Sequence, residues 1–338
     1  QNTTVQLDAN GSASITAGDI DNGSNDACGI GGLSVSPSTF GCSEVGSNTV
    51  TLTVSDNNGN SSTCTATVTV EDNLPPVVDC QDITIALLPD GTYILENGEA
   101  LVSASDNCET VGPFTVGGPS QREFDCDDLG TTVMRTMSVR DPSDNRTFCD
   151  YMVTIEEGTA LPDGWAANDI GSNPQGTEYS FSPCTNTGEF TVTGSGANGT
   201  NPFADALAFA SQNLCGDFTI TTKVESVTPG GYGGIMVRES TAPGSKQFSL
   251  FSNLTNVLLV QIRTTTNAPK QQQLHNRPFP TWLRVQRMGP WLMGYYSPDG
   301  INFQYVQAVF MPTNSCLEVG LAAFTNFGGP TTAVFSNV

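Results

Sequence analysis

Apolar and polar residues alternate at a spacing of two along nearly the whole chain, and helical periodicity is almost absent. The run TVTLTVSDNNGNSSTCTATVTVED (49–72) is an alternating strand ending in Asp, a short Asn/Gly turn, and a second alternating strand carrying a Cys. That pattern predicts a β-hairpin. Beyond about residue 161 the strand-like runs become longer and more aromatic: GEFTVTGSG, DFTITTKVESV, GGIMVRES, QFSLFSNL, NVLLVQIRTT, TWLRVQR, PWLMGYYS and INFQYVQAVF. Only ADALAFASQ (204–212) offers a helical reading. The pattern predicts an all-β protein.

The first 157 residues contain an internal repeat. The hairpin at 49–72 matches TVMRTMSVRDPSDNRTFCDYMVTIEE (132–157), and QNTTVQLDANGSASI (1–15) matches QDITIALLPDGTYIL (81–95). The cysteines align too: Cys28 with Cys108, Cys42 with Cys126, Cys64 with Cys149. Repeats of this size, built of short strands, fit an immunoglobulin-like sandwich. Asn73-Leu74-Pro75-Pro76 and GTALPDG (158–164) read as linkers. The expected domains are an immunoglobulin-like repeat at 1–73, a diverged second repeat at 74–159, and a large antiparallel sandwich of jelly-roll type at 160–338.

The chain of 338 residues has a net charge of −22, which argues against nucleic acid as a partner. Residues 1–73 carry eight Asp and Glu and no Lys, Arg or His. Such a module needs water, salt or bound metal to relieve its repulsion. The ten cysteines include no CxxC pair. They point to disulfides and an oxidising, extracellular setting. The expected bonds are Cys28–Cys42, Cys80–Cys149 and Cys108–Cys126, although four cysteines already allow three connectivities. This set leaves Cys64 without a partner and one odd cysteine among Cys184, Cys215 and Cys316. Cys80 stands just before Gln81, so its counterpart would precede Gln1. The expectation is a segment of a longer array, or a repeat lacking that cysteine. No run of 18 apolar residues suggests a membrane span.

GDIDNGSND (18–26) concentrates Asp19, Asp21, Asn22, Ser24 and Asp26. It is not an EF-hand: counted from Asp19, the glycine falls fifth and Ile30 twelfth. In an immunoglobulin-like sandwich it occupies the B–C loop, and Asp56 begins the F–G turn. The end of one module meets these loops of the next. Glu71 and Asp72 of the first linker should therefore converge with Asp106 and Asp141. Oxygen donors without imidazole suit Ca2+. The same residues are also ordinary turn formers.

DNGSNDACGI, SDNNGNSSTC and VTVEDNLPP resemble the hyalin-repeat-like, immunoglobulin-fold modules of secreted proteins of Bacteroidota. The second repeat departs from that pattern, with SASDNCE and RDPSDNRTFC. NDIGS, FTVTGSGA, DFTITTKV, GIMVRES, TWLRVQR and YYSPDGINF are similar to concanavalin-like jelly rolls appended to such proteins. The resemblance implies an extracellular or surface-attached protein, of the gliding-motility adhesin class or a cargo of type IX secretion.

His275 is the only histidine, and Glu225, Glu239 and Glu318 are scattered with no closely spaced pair. A catalytic triad or glycosidase dyad is therefore not expected, and the chain reads as a non-enzyme. Candidates for glycan contact are Tyr232, His275, Arg277, Trp291, Tyr295 and Tyr296. The expected function is a calcium-stabilised surface adhesin or structural filament, with repeats as stalk and the jelly roll as binding domain. Its partners would be a surface glycan, a surface protein or neighbouring repeats. The alternative is the glycan-binding accessory region of a secreted polysaccharide-degrading enzyme.

Overall fold

The computed structural model describes residues 1–108, 114–118, 122–171, 177–185, 188–196, 201–312, 316–325 and 329–338. The chain forms two compact units. The first comprises Gln1–Ile85, Ile94–Phe124 and Gly130–Ile155; the second comprises Ala86–Tyr93, Asp125–Leu129 and Glu156–Val338. The fold is all-β: two immunoglobulin-like sandwiches in tandem and a concanavalin-like jelly-roll sandwich.

In the first repeat, strand Gly46–Asp56 pairs antiparallel with Ser61–Glu71 and with Ile30–Ser36. Thr3–Gln6 joins the sheet parallel to Ser61–Glu71. Ser12–Ser14 and Thr39–Gly41 form a second, two-stranded layer. The alternation is directly visible in burial. Val50, Leu52, Ala66, Val68 and Val70 face a core shared with Leu7, Ile15, Ile20 and Phe40, while the residues between them are more exposed. The second repeat reproduces the order. Thr115–Gly117, Thr132–Arg140, Arg146–Glu156 and Ile83–Ala86 form its four-stranded sheet.

In the second unit, two seven-stranded sheets pack face to face. One is ordered Ala166–Ile170, Leu207–Leu214, Leu317–Thr325, Gly231–Arg238, Gln247–Ser252, Val257–Arg263, Gln271–Asn276. The other is ordered Glu178–Ser182, Glu189–Gly194, Thr331–Ser336, Phe218–Val227, Thr281–Met288, Trp291–Ser297, Gln304–Phe310. Inward residues such as Val224, Phe248, Leu283, Leu321 and Phe335 build the core between them. The first sheet carries a further apolar cluster, with Leu207, Phe209, Met236, Phe251 and Phe324. ADALAFASQ is thus not a helix. Its Leu207 and Phe209 enter this cluster while Ala208 and Ala210 enter the main core, so both faces of a strand are buried. A strand buried on both sides reads as a continuous apolar run and loses its alternation.

Four disulfides form: Cys42–Cys108, Cys80–Cys149, Cys126–Cys184 and Cys215–Cys316. Cys80 and Cys149 form the expected bond. The expected Cys28–Cys42 and Cys108–Cys126 bonds do not exist. Cys28 lies exposed and free, as does Cys64. Cys108 is instead buried in the core of the first repeat, against which Cys42 packs. Their Cα atoms are 5.4 Å apart, inside bonding range. The bond therefore joins one repeat to the next. No odd cysteine remains in the second unit, because Cys184 pairs with Cys126. Among the described residues no helix is long and apolar enough to cross a membrane. Four disulfides indicate folding in an oxidising compartment.

Candidate functional site

The acidic loop of the first repeat uses its carboxylates on itself. Asp19 accepts from the Thr16 N–H at 2.7 Å and the Thr16 hydroxyl at 2.8 Å, closing a box on the one-turn helix Ala17–Ile20. That turn delivers Ile20 into the core. Asp21 accepts from the backbone of Ser24 at 3.0 Å and of Gly23 at 3.3 Å. Asp26 accepts from the Cys28 N–H at 2.7 Å. Asp19 is held below the ordinary carboxylate range chiefly by the Thr16 N–H, and Asp21 chiefly by the Ser24 hydroxyl. Asn22 and Ser24 are exposed on the same loop. Asp56 does the same work in the F–G turn, accepting from Asn58 N and Asn60 N at 2.8 Å and from Asn60 Nδ2 at 2.7 Å.

Between the repeats the picture changes. Glu71 and Asp72 are strand-end neighbours and diverge, as adjacent strand residues must. Glu71 accepts from Gln6 Nε2 at 2.7 Å and does not join the linker site. Asp72 turns inward and is only 4% exposed. Its Oδ1 accepts from Asn107 Nδ2 at 3.2 Å and Leu74 N at 3.3 Å. Its Oδ2 is buried without a hydrogen-bond partner, and so is Asn107 Oδ1. Asp106 accepts from the Cys108 N–H at 3.1 Å. Burial, followed by the charges of Asp72 and Asp141, pushes the Asp106 carboxyl up, against the lowering effect of the Cys108 N–H. Asp141 is 3% exposed and accepts from Asn145 N and Nδ2. Asn145 Nδ2 also reaches the backbone oxygens of Asp72 at 3.0 Å and Leu74 at 3.2 Å. No salt bridge forms to Asp72 or Asp141 among the described residues.

Asp72, Asp106 and Cys108 place possible ligand atoms within 4.8 Å of one another. The Cys108 sulfur is committed to its disulfide, so the usable donors are oxygens. Beside them lies a hollow of about 370 Å³, lined by Leu74, Pro75, Val77, Asp106 and Asn107. An all-oxygen set with two orphaned buried oxygens fits a hard cation such as calcium. From the sequence, Asn107 reads only as the neighbour of Asp106 in the loop, and Asn145 is not among the candidates. The available signal was positional: Asn145 stands four residues after Asp141, as Asn60 stands after Asp56.

In the second unit the aromatic candidates divide. Tyr296 is core, only 7% exposed, with its hydroxyl donating to Gln304 Oε1 at 2.6 Å and Arg277 stacked 4.5 Å from its ring centre. Strand alternation carries it inward and its neighbour Tyr295 outward. His275 is half-buried on the edge strand Gln271–Asn276. Tyr232 stacks on Phe324, with ring centres 5.2 Å apart. Trp291 is 47% exposed and meets Phe310 edge-on at 5.1 Å. Tyr295 meets Tyr305 at 6.0 Å. Trp291, Met293 and Tyr295 project from the outer face of one strand, with Phe310 and Tyr305 beside them on the edge strand. This is an open aromatic strip.

A buried ionic cluster organises the other sheet. Asp205, Arg238 and Arg263 have fully buried side chains, and the Lys270 side chain is 1% exposed. Asp205 accepts from Arg238 Nη1 at 2.9 Å, Arg263 Nη1 at 2.8 Å and Lys270 Nζ at 3.3 Å. Burial alone would raise its pKa, but the Arg263 hydrogen bond and the charges of Arg238, Lys270 and Arg263 hold it below the ordinary value. The remaining guanidinium hydrogens go to loop carbonyls, including those of Ser240, Ala242, Pro243 and Ala268. The cluster pins three loops. Sequence separations of 33, 58 and 65 residues hid it from pattern reading.

No family model matches the chain, and no curated protein matches it. Several solved structures are similar. One is a functionally unknown protein from Saccharomyces cerevisiae, 18% identical, matched over 51% of this chain and 93% of that one, with a TM-score of 0.40. Another is a legume lectin-like domain from Entamoeba histolytica, 12% identical, matched over 52% and 87%, with a TM-score of 0.35. A third is a CBM2 module of an evolved Dit from Lactobacillus casei BL23 phage J-1, 11% identical, matched over 53% and 93%, with a TM-score of 0.31.

Proposed function

We propose that the chain is a binding segment of an extracellular surface protein rather than an enzyme. Its two repeats act as a stiffened stalk, and its lectin-like sandwich engages a glycan. The observation that carries this reading is the Cys42–Cys108 bond from one repeat into the next, reinforced by Asn107 and Asn145 on the linker. A chain that only needed to connect two folded modules would not fix the joint covalently. The adhesin class of Bacteroidota, with hyalin-like repeats and type IX secretion, is the setting that the sequence resemblance favours.

Calcium belongs to the same proposal. Asp72, Asp106, Asn107 and Asp141 would hold it, and the ion would offset the mutual repulsion of the three carboxylates. Two carboxylates about 4 Å apart repel by roughly 4 kcal/mol at an effective dielectric of 20, so a divalent ion would relieve the joint.

For glycan binding, the Trp291–Phe310 and Tyr295–Tyr305 pairs are the support. Aromatic faces are large, rigid and amphipathic, suited to the apolar faces of sugar rings. A glycan array probed with the full chain tests this. Retention of particular polysaccharides, lost in Trp291→Ala, is expected; a blank array sinks the glycan reading and leaves a structural segment.

A further inference from the structure

Except for the Asn107 amide, the features at the linker-facing pole of the second repeat have counterparts in the first. Asp106 accepts the Cys108 N–H at 3.1 Å, and Asp26 accepts the Cys28 N–H at 2.7 Å. Asn145 Nδ2 binds Asp141 at 2.9 Å, and Asn60 Nδ2 binds Asp56 at 2.7 Å. Cys149 lies opposite Met137, and Cys64 opposite Leu52, in matching hairpins. Cys42 and Cys126 each open a short 3-10 turn, Cys42–Glu44 and Cys126–Asp128. The two repeats therefore carry the same cysteine positions in the same local structure.

The second repeat shows what that pole receives. Cys108 takes Cys42 from the preceding repeat, and Cys149 takes Cys80 from the joining strand Val77–Cys80. Asn145 holds the linker backbone. The bonding is directional: Cys42 bonds forward in the sequence to Cys108, and its counterpart Cys126 bonds forward to Cys184. Cys28 and Cys64, the counterparts of Cys108 and Cys149, are free and exposed. The other eight cysteines are paired. The same pole carries a hollow of about 180 Å³, lined by Asp26, Ile30, Val54, Asp56 and Asn60 among others.

We infer that this pole of the first repeat is a docking surface for another immunoglobulin-like repeat of the same kind, placed ahead of it in an array. Two disulfides staple it: Cys28 to the counterpart of Cys42, and Cys64 to the counterpart of Cys80 in the joining strand. The inference rests on reading the repeats as a modular stalk. Each bond forms from two thiols, which lose two protons and two electrons to a disulfide-bearing oxidant of the secretory route, itself reduced to a dithiol. Ala27 stands where the second repeat has Asn107, so this joint lacks one amide and leans more on its sulfurs.

The test places residues 1–80 ahead of the full chain, with Cys28→Ser and Cys64→Ser in the added copy only. Peptide mapping of the oxidised protein should find the added Cys42 bonded to Cys28 and the added Cys80 bonded to Cys64. No thiol should then react with an alkylating agent. Four reactive thiols, or a Cys28–Cys64 bond, overturn the inference; the Cys42–Cys108 and Cys80–Cys149 bonds in the same map report that the chain has folded. Cys28→Ser with Cys64→Ser in the unextended chain should leave its melting midpoint unchanged. A fall would show that these thiols serve the chain's own fold, which also overturns it. Thiol counting reads neither glycan nor calcium, so its outcome is separable from the proposed function.

Discussion

Asp72, at the end of the first repeat, accepts a hydrogen bond from Asn107 of the second at 3.2 Å and keeps its other carboxylate oxygen buried without a partner. Burying an uncompensated carboxylate oxygen is costly. The joint therefore holds a buried acceptor that no hydrogen bond among the described residues satisfies.

Calcium should raise the melting midpoint of the first unit. With a dissociation constant of about 10⁻⁴ M, 10 mM calcium would add roughly 2.7 kcal/mol. That corresponds to about 5–10 °C in a unit of this size. Scanning calorimetry with calcium and with chelator measures it. Asp72→Asn should abolish most of the shift while Asp19→Asn leaves it intact; equal effects of the two would refute the joint as the site.

The staple should be worth about 2–4 kcal/mol to the first unit, since it closes a separation of 66 residues. Cys42→Ser should remove that amount, read by denaturant midpoint. Gly11→Ala should mimic part of the loss with both cysteines left in place. Gly11 has φ +67°, and an added Cβ would lie 2.5 Å from Asn107 O and 2.7 Å from Cys42 Sγ. An unchanged midpoint for Gly11→Ala would show that the joint is looser than this.

Asp205→Asn should cost about 3–5 kcal/mol, because it removes the buried carboxylate that Arg238, Arg263 and Lys270 share. The exposed pair Arg140–Asp144 should cost less than about 1 kcal/mol when broken. The acid response follows from the same residue. Its folded pKa lies below the unfolded value of roughly 3.9, so its contribution is full above that pH and is lost as pH falls toward the folded value. The second unit should hold its stability through pH 5, and Asp205→Asn should flatten its dependence on pH below about 4. An unchanged acid profile in that variant would count against the cluster.

Trp291→Ala should weaken retention of a bound polysaccharide by about tenfold, or 1.4 kcal/mol, with little change in melting, because the side chain is 47% exposed. Leu283→Ala, in the core, should instead destabilise the second unit by about 2–5 kcal/mol. Affinity electrophoresis and calorimetry separate the two effects.

The local pattern of the chain carried much of its architecture. Period-2 alternation specified hairpins such as 49–72 and which of their residues point inward, because side-chain direction in a strand is a local property. The duplicated runs revealed the repeat, and the position of Asp72 beside the linker pointed to the joint. Other features depended on contacts that no local pattern encodes. Strand and sheet pairing put Cys42 beside Cys108 rather than Cys28, and burial on both faces made ADALAFASQ a strand. Glu71 and Asp72 look equivalent in a list of acids, but the pleat sends one out and the other in. Asp205 meets Arg238, Arg263 and Lys270 only because separated loops close over one sheet. Direction and periodicity are written residue by residue, whereas partners distant in sequence are chosen by the packing of whole sheets.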